Sequence, residues 1–302
     1  MDRYFWYPAL VVSFLIFFVC ATFNVARAAA NEARVEAFTV GKATVWAIAD
    51  STGERDIATI FPSADPALAA KHVPGGKAPT ATMVFAVKIS DQIVLVDTGN
   101  GNAASQLMNG LAKAGIKPEA VTLVLLTHLH GDHIGGLVID DKRAFPNARV
   151  MLSKPERDFW YSDAGMAAFP ARKAGFESAR RILNLYGDKV STYAFGDTII
   201  PGIVALDSTG HSPGQTCFLL ESDGQKLVFW GDLVHAAALQ FPRPEFNATF
   251  DMDPPAAAAT RKRYMEQAVA EKLPAAGSHF PFPAIGRVET GPEGGFVYKP
   301  GL

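Results

Sequence analysis

Three histidines and an aspartate lie within the six-residue stretch HLHGDH, residues 128–133, directly after an apolar run. Side chains two positions apart in extended chain point to the same side, so His128 and His130 can converge on one metal ion. Asp132 and His133 continue the turn and can face a second ion. A structural zinc site usually contains Cys and closes all four positions, whereas nitrogen and oxygen ligands suit a catalytic site that keeps a water.

Further candidate ligands stand where other apolar runs end. His211 in DSTGHSPGQT, Asp232 in LVFWGDLVH and His279 in AAGSHFPFP each occupy such a strand-to-loop junction. Packing alone hardly explains this placement, although a structural metal site and chance clustering at a surface stay open as alternatives. Three glycines should let the backbone fold tightly around the histidine cluster: Gly131, Gly135 and Gly136.

Short β-rich runs alternate with helical patterns along the chain. Apolar patterning predicts strands over residues 43–50, 82–90, 92–99, 121–128 and 148–153, and further strands in TIIPGIVALDSTGH, TCFLLES and KLVFWGD. Helices are predicted over residues 102–115, 154–161, 178–186 and 253–272, the first closed by a glycine and the last opened by two prolines. The stretches rich in Pro and Gly at residues 73–79 and 281–294 are predicted to be surface loops.

Length and charge limit the class of protein. A chain of 302 residues allows one large α/β domain or two smaller ones. It has 28 Lys and Arg against 30 Asp and Glu, a formal net charge of −2, and no run of like charges. Nucleic acid binding through a basic patch is therefore disfavoured. Oligomeric state is left open, a homodimer included.

The N-terminus has the order of a secretory signal peptide: a charged start, an apolar stretch from Tyr4 to Phe23, then small residues. We expect residues 1–30 to be removed and the mature protein to be periplasmic or secreted, with no stable membrane span after cleavage. An uncleaved anchor is the alternative, since about 20 apolar residues can span a bilayer. Cleavage would remove Cys20 and leave Cys217 alone, which excludes an intrachain disulfide.

The order of these motifs resembles that of the metallo-β-lactamase fold superfamily, whose signature is H-x-H-x-D-H followed by a distant His, an Asp and a final His. The resemblance covers about residues 38–285, and it includes the stretch LVDTG around Asp97. It implies an α/β fold, an αββα sandwich of two mixed β-sheets flanked by helices. It also implies that residues 31–302 form a single catalytic domain.

The same resemblance implies two divalent metal ions, zinc first, with manganese, cobalt or iron as alternatives. The ligand candidates fall into two groups that share Asp232 as a bridge: His128, His130 and His211 for one ion, and Asp132, His133 and His279 for the other. A hydroxide held between the ions would be the nucleophile, with Asp132 as the candidate general base. Asp97 would orient a ligand histidine rather than bind metal.

Residues 229–262, FWGDLVHAAALQFPRPEFNATFDMDPPAAAATRK, resemble the corresponding segment of methyl parathion hydrolase-like enzymes, which cleave organophosphate triesters. Metallo-β-lactamases proper place Cys where Asp232 stands, and glyoxalase II carries a helical C-terminal extension. Only 23 residues (302 − 279) follow His279 here. The predicted function is therefore phosphotriester hydrolysis, with a quorum-quenching type of lactonase or a general esterase as the alternative. A non-catalytic metal-binding scaffold is disfavoured, because all seven ligands are present.

The predicted substrate is a small neutral ester, triester or lactone, because no arginine stands beside the motifs. Aryl leaving groups would favour an apolar pocket with aromatic walls. The candidates for such walls lie near predicted loops: Phe159, Trp160, Phe169, Phe241 and Phe280. For each of them alone, packing is the better explanation. His235 is predicted to be a hydrogen-bonded structural residue, and Cys217 a small core residue.

Overall fold

Two seven-stranded β-sheets lie at the centre of the computed structural model, which describes residues 33–302. Residues Arg34–Leu302 form one compact unit. The predicted signal peptide, residues 1–30, lies outside the described residues. Within the part of the chain that the structure describes, no helix is both long and apolar enough to cross a bilayer.

The strands alternate with helices along much of the chain. In chain order the strands are β1 Arg34–Val40, β2 Ala43–Asp56, β3 Lys77–Ile89, β4 Gln92–Val96, β5 Leu123–Leu125, β6 Val138–Ile139, β7 Lys142–Arg143, β8 Arg149–Ser153, β9 Val190–Tyr193, β10 Thr198–Ile200, β11 Ile203–Asp207, β12 Thr216–Ser222, β13 Gln225–Phe229, β14 Ala275–Ala276, β15 Ile285–Thr290 and β16 Phe296–Pro300. The helices are α1 Ile57–Ile60, α2 Pro66–His72, α3 Leu107–Lys113, α4 Gly131–Ile134, α5 Lys154–Tyr161, α6 Asp163–Ala168, α7 Lys173–Tyr186, α8 Ala237–Gln240 and α9 Pro254–Glu271. Short 3-10 helices occupy Pro118–Ala120, Gly135–Leu137, Pro170–Arg172, Gly187–Lys189 and Pro292–Gly294.

Both large sheets are mixed. The first has the order β1-β2-β3-β4-β5-β8-β9, antiparallel from β1 to β4 and parallel from β4 to β9. The second runs from β10 to β16 in sequence order, and only its β13–β14 pair is parallel. Strands β6 and β7 form a separate hairpin. Because β11, β13 and β14 run in the same direction, their carboxyl ends lie at one edge of the second sheet.

The side chains of β3 show how the layers are held together. Successive residues of a strand point to opposite faces, and here Met83 and Phe85 enter the core between the two sheets. Val84 and Ala86 enter a second core, between the first sheet and a helical layer that includes Leu107 of α3 and residues of α5 and α7. Helix α9 contributes Tyr264, Met265 and Ala268 to the core beneath the second sheet. The layer order is therefore αββα, which confirms the predicted fold class.

Capping side chains set the helix boundaries near the site. Ser153 accepts a hydrogen bond from the backbone N–H of Glu156 at the start of α5, where Pro155 occupies the first turn. Asp253 caps α9 in the same way through the N–H of Ala256. Both helices begin and end within one residue of the predicted ranges.

Several predicted boundaries were wrong, and for two of them the structure shows the physical reason. Helix α3 begins at Leu107 instead of residue 102, because the Asp50 carboxylate accepts hydrogen bonds from Ser105 Oγ and from the Leu107 N–H. Strand β4 stops at Val96, because Asp97 adopts a positive φ of 61°. Residues 121–128 contain only the three-residue strand β5. Helix α7 starts five residues before residue 178 (178 − 173).

The two predicted surface loops also contain strands. Residues 73–79 include the start of β3 at Lys77, and residues 281–294 include all of β15. At two of the three glycines predicted to allow tight folding, a side chain would clash with neighbouring backbone atoms. A Cβ on Gly135 would lie 2.0 Å from Asn100 O, and one on Gly136 would lie 2.0 Å from Thr98 O, whereas Gly131 has open space around it.

Candidate metal centre

The seven predicted ligands meet where the two sheets end. His128 follows β5, and His130 precedes the single-turn helix α4, which carries Asp132 and His133. The other three each follow one of the strands of the second sheet that run in the same direction: His211 follows β11, Asp232 follows β13 and His279 follows β14. Residues 151 positions apart in sequence are thus brought together by topology (279 − 128).

Three imidazoles form the first group. His130 Nδ1 lies 2.9 Å from His128 Nε2 and 2.8 Å from His211 Nε2. The Asp232 carboxylate reaches the same group, with Oδ2 3.3 Å from His211 Nε2 and 3.8 Å from His128 Nε2. Four potential ligand atoms therefore converge on one point. Three imidazole nitrogens and a carboxylate oxygen are a donor set that zinc accepts.

The second group lies on the other side of the same carboxylate. Asp232 Oδ1 is 3.1 Å from His133 Nε2, and Asp232 Oδ2 is 3.1 Å from His279 Nε2. The Asp132 carboxylate lies 3.8 Å from His133 Nε2 and 3.4 Å from His279 Nε2. Asp232 thus stands between the two groups, as a bridging ligand would.

Buried atoms without partners test whether these residues fit metal ions. His133 Nε2 and Asp232 Oδ1 are both buried, and neither makes a hydrogen bond. Unsatisfied buried polar groups are costly and rare in proteins, so each such atom calls for a ligand. The donor set and the two unsatisfied atoms together fit a pair of divalent cations.

Asp97 lies behind His133. Its Oδ2 accepts a hydrogen bond from His133 Nδ1 at 2.7 Å, and both of its oxygens accept hydrogen bonds from Thr127, through the backbone N–H and Oγ1, each at 2.8 Å. The Asp97 contact fixes the His133 tautomer, because the proton on Nδ1 leaves the Nε2 lone pair facing Asp232.

Asp251, which the sequence analysis missed, lies behind His211. Its Oδ1 is 2.9 Å from His211 Nδ1, and its Oδ2 pairs with Arg261 Nη2 at 3.1 Å. Burial would raise the pKa of Asp251, but the hydrogen bond from His211 and the nearby positive charges lower it to about 2. Asp251 stands 40 positions from His211, so no local pattern could have indicated the pair.

Opposed charges dominate the electrostatics of the centre. Burial would lower the pKa of His133, but the negative charges of Asp232, Asp97 and Asp132 raise it well above its ordinary value. Burial would likewise raise the pKa of Asp232, but His133 and His279 hold it well below its usual range. The carboxylate is therefore ionised, as a metal ligand must be.

His235 differs from the prediction. Both of its ring nitrogens are buried without a hydrogen bond, although Nε2 lies 3.2 Å from Asp232 Oδ2. The ring stacks on His279 at a centroid distance of 5.3 Å. Burial lowers the pKa of His235 to about 4, so the ring is neutral at pH 7. His235 therefore packs against the centre without the hydrogen bonds expected of a structural histidine.

Glu156 of α5 joins the two ligand loops from behind. The fully buried carboxylate accepts four hydrogen bonds, two at each oxygen. Oε1 accepts from the Leu129 N–H at 2.9 Å and Trp160 Nε1 at 2.7 Å, and Oε2 accepts from Ser212 Oγ at 2.7 Å and the Gly214 N–H at 2.8 Å. One carboxylate thus links the HLHGDH loop to the His211 loop. Sequence reasoning missed Glu156, whose only local sign is its place in the first turn of α5.

A cavity of about 270 Å³ opens onto the centre. One side, which we call the histidine wall, is formed by His130, Asp132, Asp232 and His279. A second group of lining residues, which we call the arginine wall, consists of Arg55, Arg172 and Phe250, and Trp160 also contributes to the lining. Asp132 is partly exposed to solvent, at 31% of its side chain.

The lining of the cavity shows that the predicted aromatic pocket was largely wrong. Among the five candidates only Trp160 contributes to the cavity lining. Phe241 and Phe280 are buried beside Trp230, with their own ring centroids 5.4 Å apart. Phe159 and Phe169 pack in the helical layer. Cys217 is fully buried, and burial raises the pKa of its thiol to about 12, as expected of a core residue.

Comparison with known proteins places the chain in a family. The family model described as the metallo-beta-lactamase superfamily matches residues 78–276, so the chain belongs to that superfamily. A curated relative, the atrochrysone carboxyl ACP thioesterase of Passalora fulva, is 30% identical over 156 residues. This match covers 51% of the present chain and 38% of the thioesterase, so the chain spans well under half of that relative's length.

Two solved structures are similar over nearly their whole lengths. AidC, described as a dizinc quorum-quenching lactonase in complex with a product, is 26% identical with a TM-score of 0.83, covering 90% of this chain and 99% of that one. AbOPH, described as a hydrolase in the beta lactamase superfamily, is 28% identical with a TM-score of 0.82, covering 89% and 97%. A metal-dependent hydrolase with two divalent ions is the class of enzyme that family, fold and site define.

Proposed function

We propose that this protein hydrolyses carboxylic esters, with lactones as the first substrate class, and that its two ions are zinc. The observation that carries the proposal is the convergence of two ligand groups on Asp232 at the wall of one cavity. The similarity to AidC, a dizinc lactonase, supports both the metal and the substrate class. Imidazole and carboxylate donors without Cys are typical of catalytic zinc sites.

Two bound divalent ions would lower the pKa of a coordinated water and polarise the carbonyl oxygen of the substrate. The residues supply the rest of the chemistry. We propose His128, His130 and His211 as ligands of one ion and Asp132, His133 and His279 as ligands of the other, with Asp232 shared. Asp97 and Asp251 would hold the imidazoles in the ligand tautomer.

Asp132 is the proposed proton acceptor. Its side chain is 31% exposed, whereas that of Asp232, the shared carboxylate, is only 3% exposed. Burial would raise the pKa of Asp132, but His133 and His279 lower it, so the carboxylate is ionised near neutral pH and can take a proton from water. It would return that proton to the leaving alkoxide.

Phosphotriester hydrolysis, the reaction predicted from residues 229–262, is the weaker candidate. It rests on a segment resemblance, and the structure places two arginines in the cavity, which a neutral triester does not require. The two activities can be compared directly. The mature protein should bind two zinc ions per chain and hydrolyse simple lactones, losing that activity on chelation and regaining it with zinc. A larger kcat/KM for an aryl dialkyl phosphotriester would reverse the order of the candidates. Two bound ions with no hydrolysis of either would support a non-catalytic scaffold.

Export through residues 1–30 is a separate proposal, motivated by their charged, apolar and small-residue order. N-terminal sequencing of protein recovered outside the cytoplasm should begin near residue 29 or 31. An intact N-terminus in the membrane fraction would favour the uncleaved anchor.

A further inference from the structure

The arginine wall brings together two residues from distant parts of the chain. Arg55 lies near the end of β2, and Arg172 ends the short helix before α7. Phe250 lies between them: its carbonyl accepts a hydrogen bond from Arg172 Nη2 at 2.9 Å, and its ring centroid is 5.4 Å from Arg55 Cζ. Arg55 Nε also donates to Thr80 Oγ1 at 3.2 Å. Both guanidinium groups are thus held in place from behind.

Neither arginine makes an ion pair with a carboxylate among residues 33–302. Other arginines near the site do pair: Arg180 with Asp163 at 2.8 Å and Arg261 with Asp251 at 3.1 Å. Burial lowers the pKa of Arg172, but a guanidinium group stays charged at neutral pH. Two positive charges therefore line the cavity without a direct ion pair. The carboxylates of Asp132 and Asp232 line the same cavity, and Asp251 is close enough to Arg172 to favour its charged form.

The inner nitrogens of both arginines face the backs of ligand histidines. Arg172 Nη1 lies 3.1 Å from His130 Nε2, and Arg55 Nη2 lies 3.2 Å from His279 Nδ1. An imidazole that binds metal through one nitrogen carries its proton on the other. His279 already directs Nδ1 at the Ala81 carbonyl, 2.8 Å away. In the metal-binding tautomers, the imidazole nitrogen next to each arginine carries a proton. It therefore cannot accept a hydrogen bond from the guanidinium group.

We propose that Arg55 and Arg172 form a subsite that binds a carboxylate or phosphate group of the substrate, away from the bond that is broken. This inference rests on the proposed ester hydrolysis and narrows its substrate class to anionic esters, thioesters or lactones. Guanidinium groups bind such anions through short, charge-assisted hydrogen bonds, often two at once. Two divalent ions would outweigh the two carboxylates of the histidine wall, so the whole cavity attracts anions.

A matched pair of substrates tests the subsite. Metal-loaded enzyme is assayed with 4-nitrophenyl acetate, which is neutral, and mono-4-nitrophenyl glutarate, which carries a remote carboxylate. The wild type should prefer the glutarate ester in kcat/KM, and that preference should fall by about 10-fold or more in Arg55→Gln and in Arg172→Gln, because each removes a charge-assisted contact. Arg172→Lys should retain part of the preference, since the charge remains. Arg181→Gln, on the exposed face of α7, makes the same charge change away from the cavity and is the control.

The ratio of the two activities separates substrate binding from a purely structural role. If the arginines only hold His130 and His279, both esters lose activity equally and the subsite is refuted. Zinc content and the thermal unfolding midpoint are measured for every variant, so that misfolding is recognised.

A binding measurement separates this inference from the proposed function. Glutarate binding to the zinc-loaded protein is followed by calorimetry in the wild type and in the Arg55→Gln/Arg172→Gln double variant. Weaker binding in the double variant supports the subsite even if neither ester is hydrolysed, in which case it is the ester hydrolysis that fails. Equal binding in both proteins overturns the subsite, whatever the outcome with the esters.

Discussion

At the metal centre, the proposed ligands are held by residues behind them. Asp97 accepts the His133 proton, Asp251 faces His211, and Glu156 joins the two loops that carry these ligands. In the arginine wall, Arg55 and Arg172 are anchored by a hydroxyl and a carbonyl, and no carboxylate among the described residues pairs with either. This difference indicates that the two groups of residues have separate functions. A wall with compensated charges suits fixed ions, and a wall without direct ion pairs suits a ligand that comes and goes.

The strongest test of the histidine wall is the substitution Asp232→Ala. We expect loss of at least one zinc ion and a fall in kcat on the order of 10³-fold or more, because a bridging carboxylate serves both ions and metal assistance supplies several kcal/mol. Metal analysis and lactone kinetics measure the two effects. Asp163→Ala, which removes a carboxylate whose side chain is 86% exposed, is the control. Retention of two tightly bound ions would show that Asp232 is not the bridge.

The next largest effect should come from Glu156→Gln. Four donors point at this carboxylate, and an amide can present an acceptor to only two of them, so its NH₂ group would face the other two. We expect the free energy of unfolding to fall by about 3 kcal/mol. Urea denaturation of the zinc-free protein measures this loss without the contribution of metal binding.

Glu177→Gln is the control for Glu156, since its side chain is 60% exposed and its ion pair with Lys173 spans 3.5 Å. A surface pair of this kind contributes about 1 kcal/mol at most. Equal stability of the two variants would mean that Glu156 does not hold the ligand loops together.

Asp97→Asn should weaken the site without unfolding it. Asn tolerates the positive φ of this position, and it is nearly the same size as Asp. Asn has only one oxygen, and the backbone N–H of Thr127, which cannot turn away, holds it at the position of Oδ1. The NH₂ group then replaces Oδ2 and cannot accept from His133 Nδ1, so the His133 tautomer is no longer fixed. We expect zinc affinity or kcat/KM to fall by about 10 to 100-fold. Zinc titration against a competing chelator measures the affinity, and an unchanged value together with unchanged kcat/KM would argue against this role.

The sequence predicted the two walls unequally. The stretch from His128 to His133 lies in one loop, so its spacing is visible, and His211, Asp232 and His279 were found because each follows an apolar strand and the order fits a known family. Arg55 and Arg172 carry no such sign. They are 117 positions apart (172 − 55), and only the folded chain brings both to Phe250 and to the same cavity. The sequence analysis therefore predicted a substrate cavity without arginines, and of its five aromatic candidates only Trp160 lines the cavity.

Boundaries in the fold show the same limit. Alternating apolar residues predicted most strands, and capping residues with prolines predicted α5 and α9 to within a residue. The start of α3 could not be predicted, because it depends on Asp50, a buried carboxylate contributed by β2. Local patterns therefore indicate where an element lies, whereas contacts distant in sequence decide where it ends.

The smallest effect is expected for Trp160→Phe, because Trp160 both supports the metal centre through Glu156 and lines the substrate cavity. Trp160 lines the cavity, contacts His130 edge-on at 5.7 Å and donates one of the four hydrogen bonds to Glu156. Phe keeps a ring against Phe176, now 4.5 Å away, but lacks the donor. We expect a loss of about 1 kcal/mol in stability, because Glu156 keeps three donors. Trp46→Phe, in the same helical-layer core but away from the cavity, is the control.

A double-mutant cycle decides which duty of Trp160 matters more. If its hydrogen bond to Glu156 is the main contribution, Trp160→Phe should cost almost nothing further once Glu156 is replaced by Gln, and the two losses will not add. If contact with the substrate dominates, KM for the lactone will rise equally in both backgrounds while the losses in stability add. Additive losses with an unchanged KM would contradict both duties. The histidine wall would then be held by Glu156 through its backbone and Ser212 contacts alone, and Trp160 would be a core residue that happens to border the cavity.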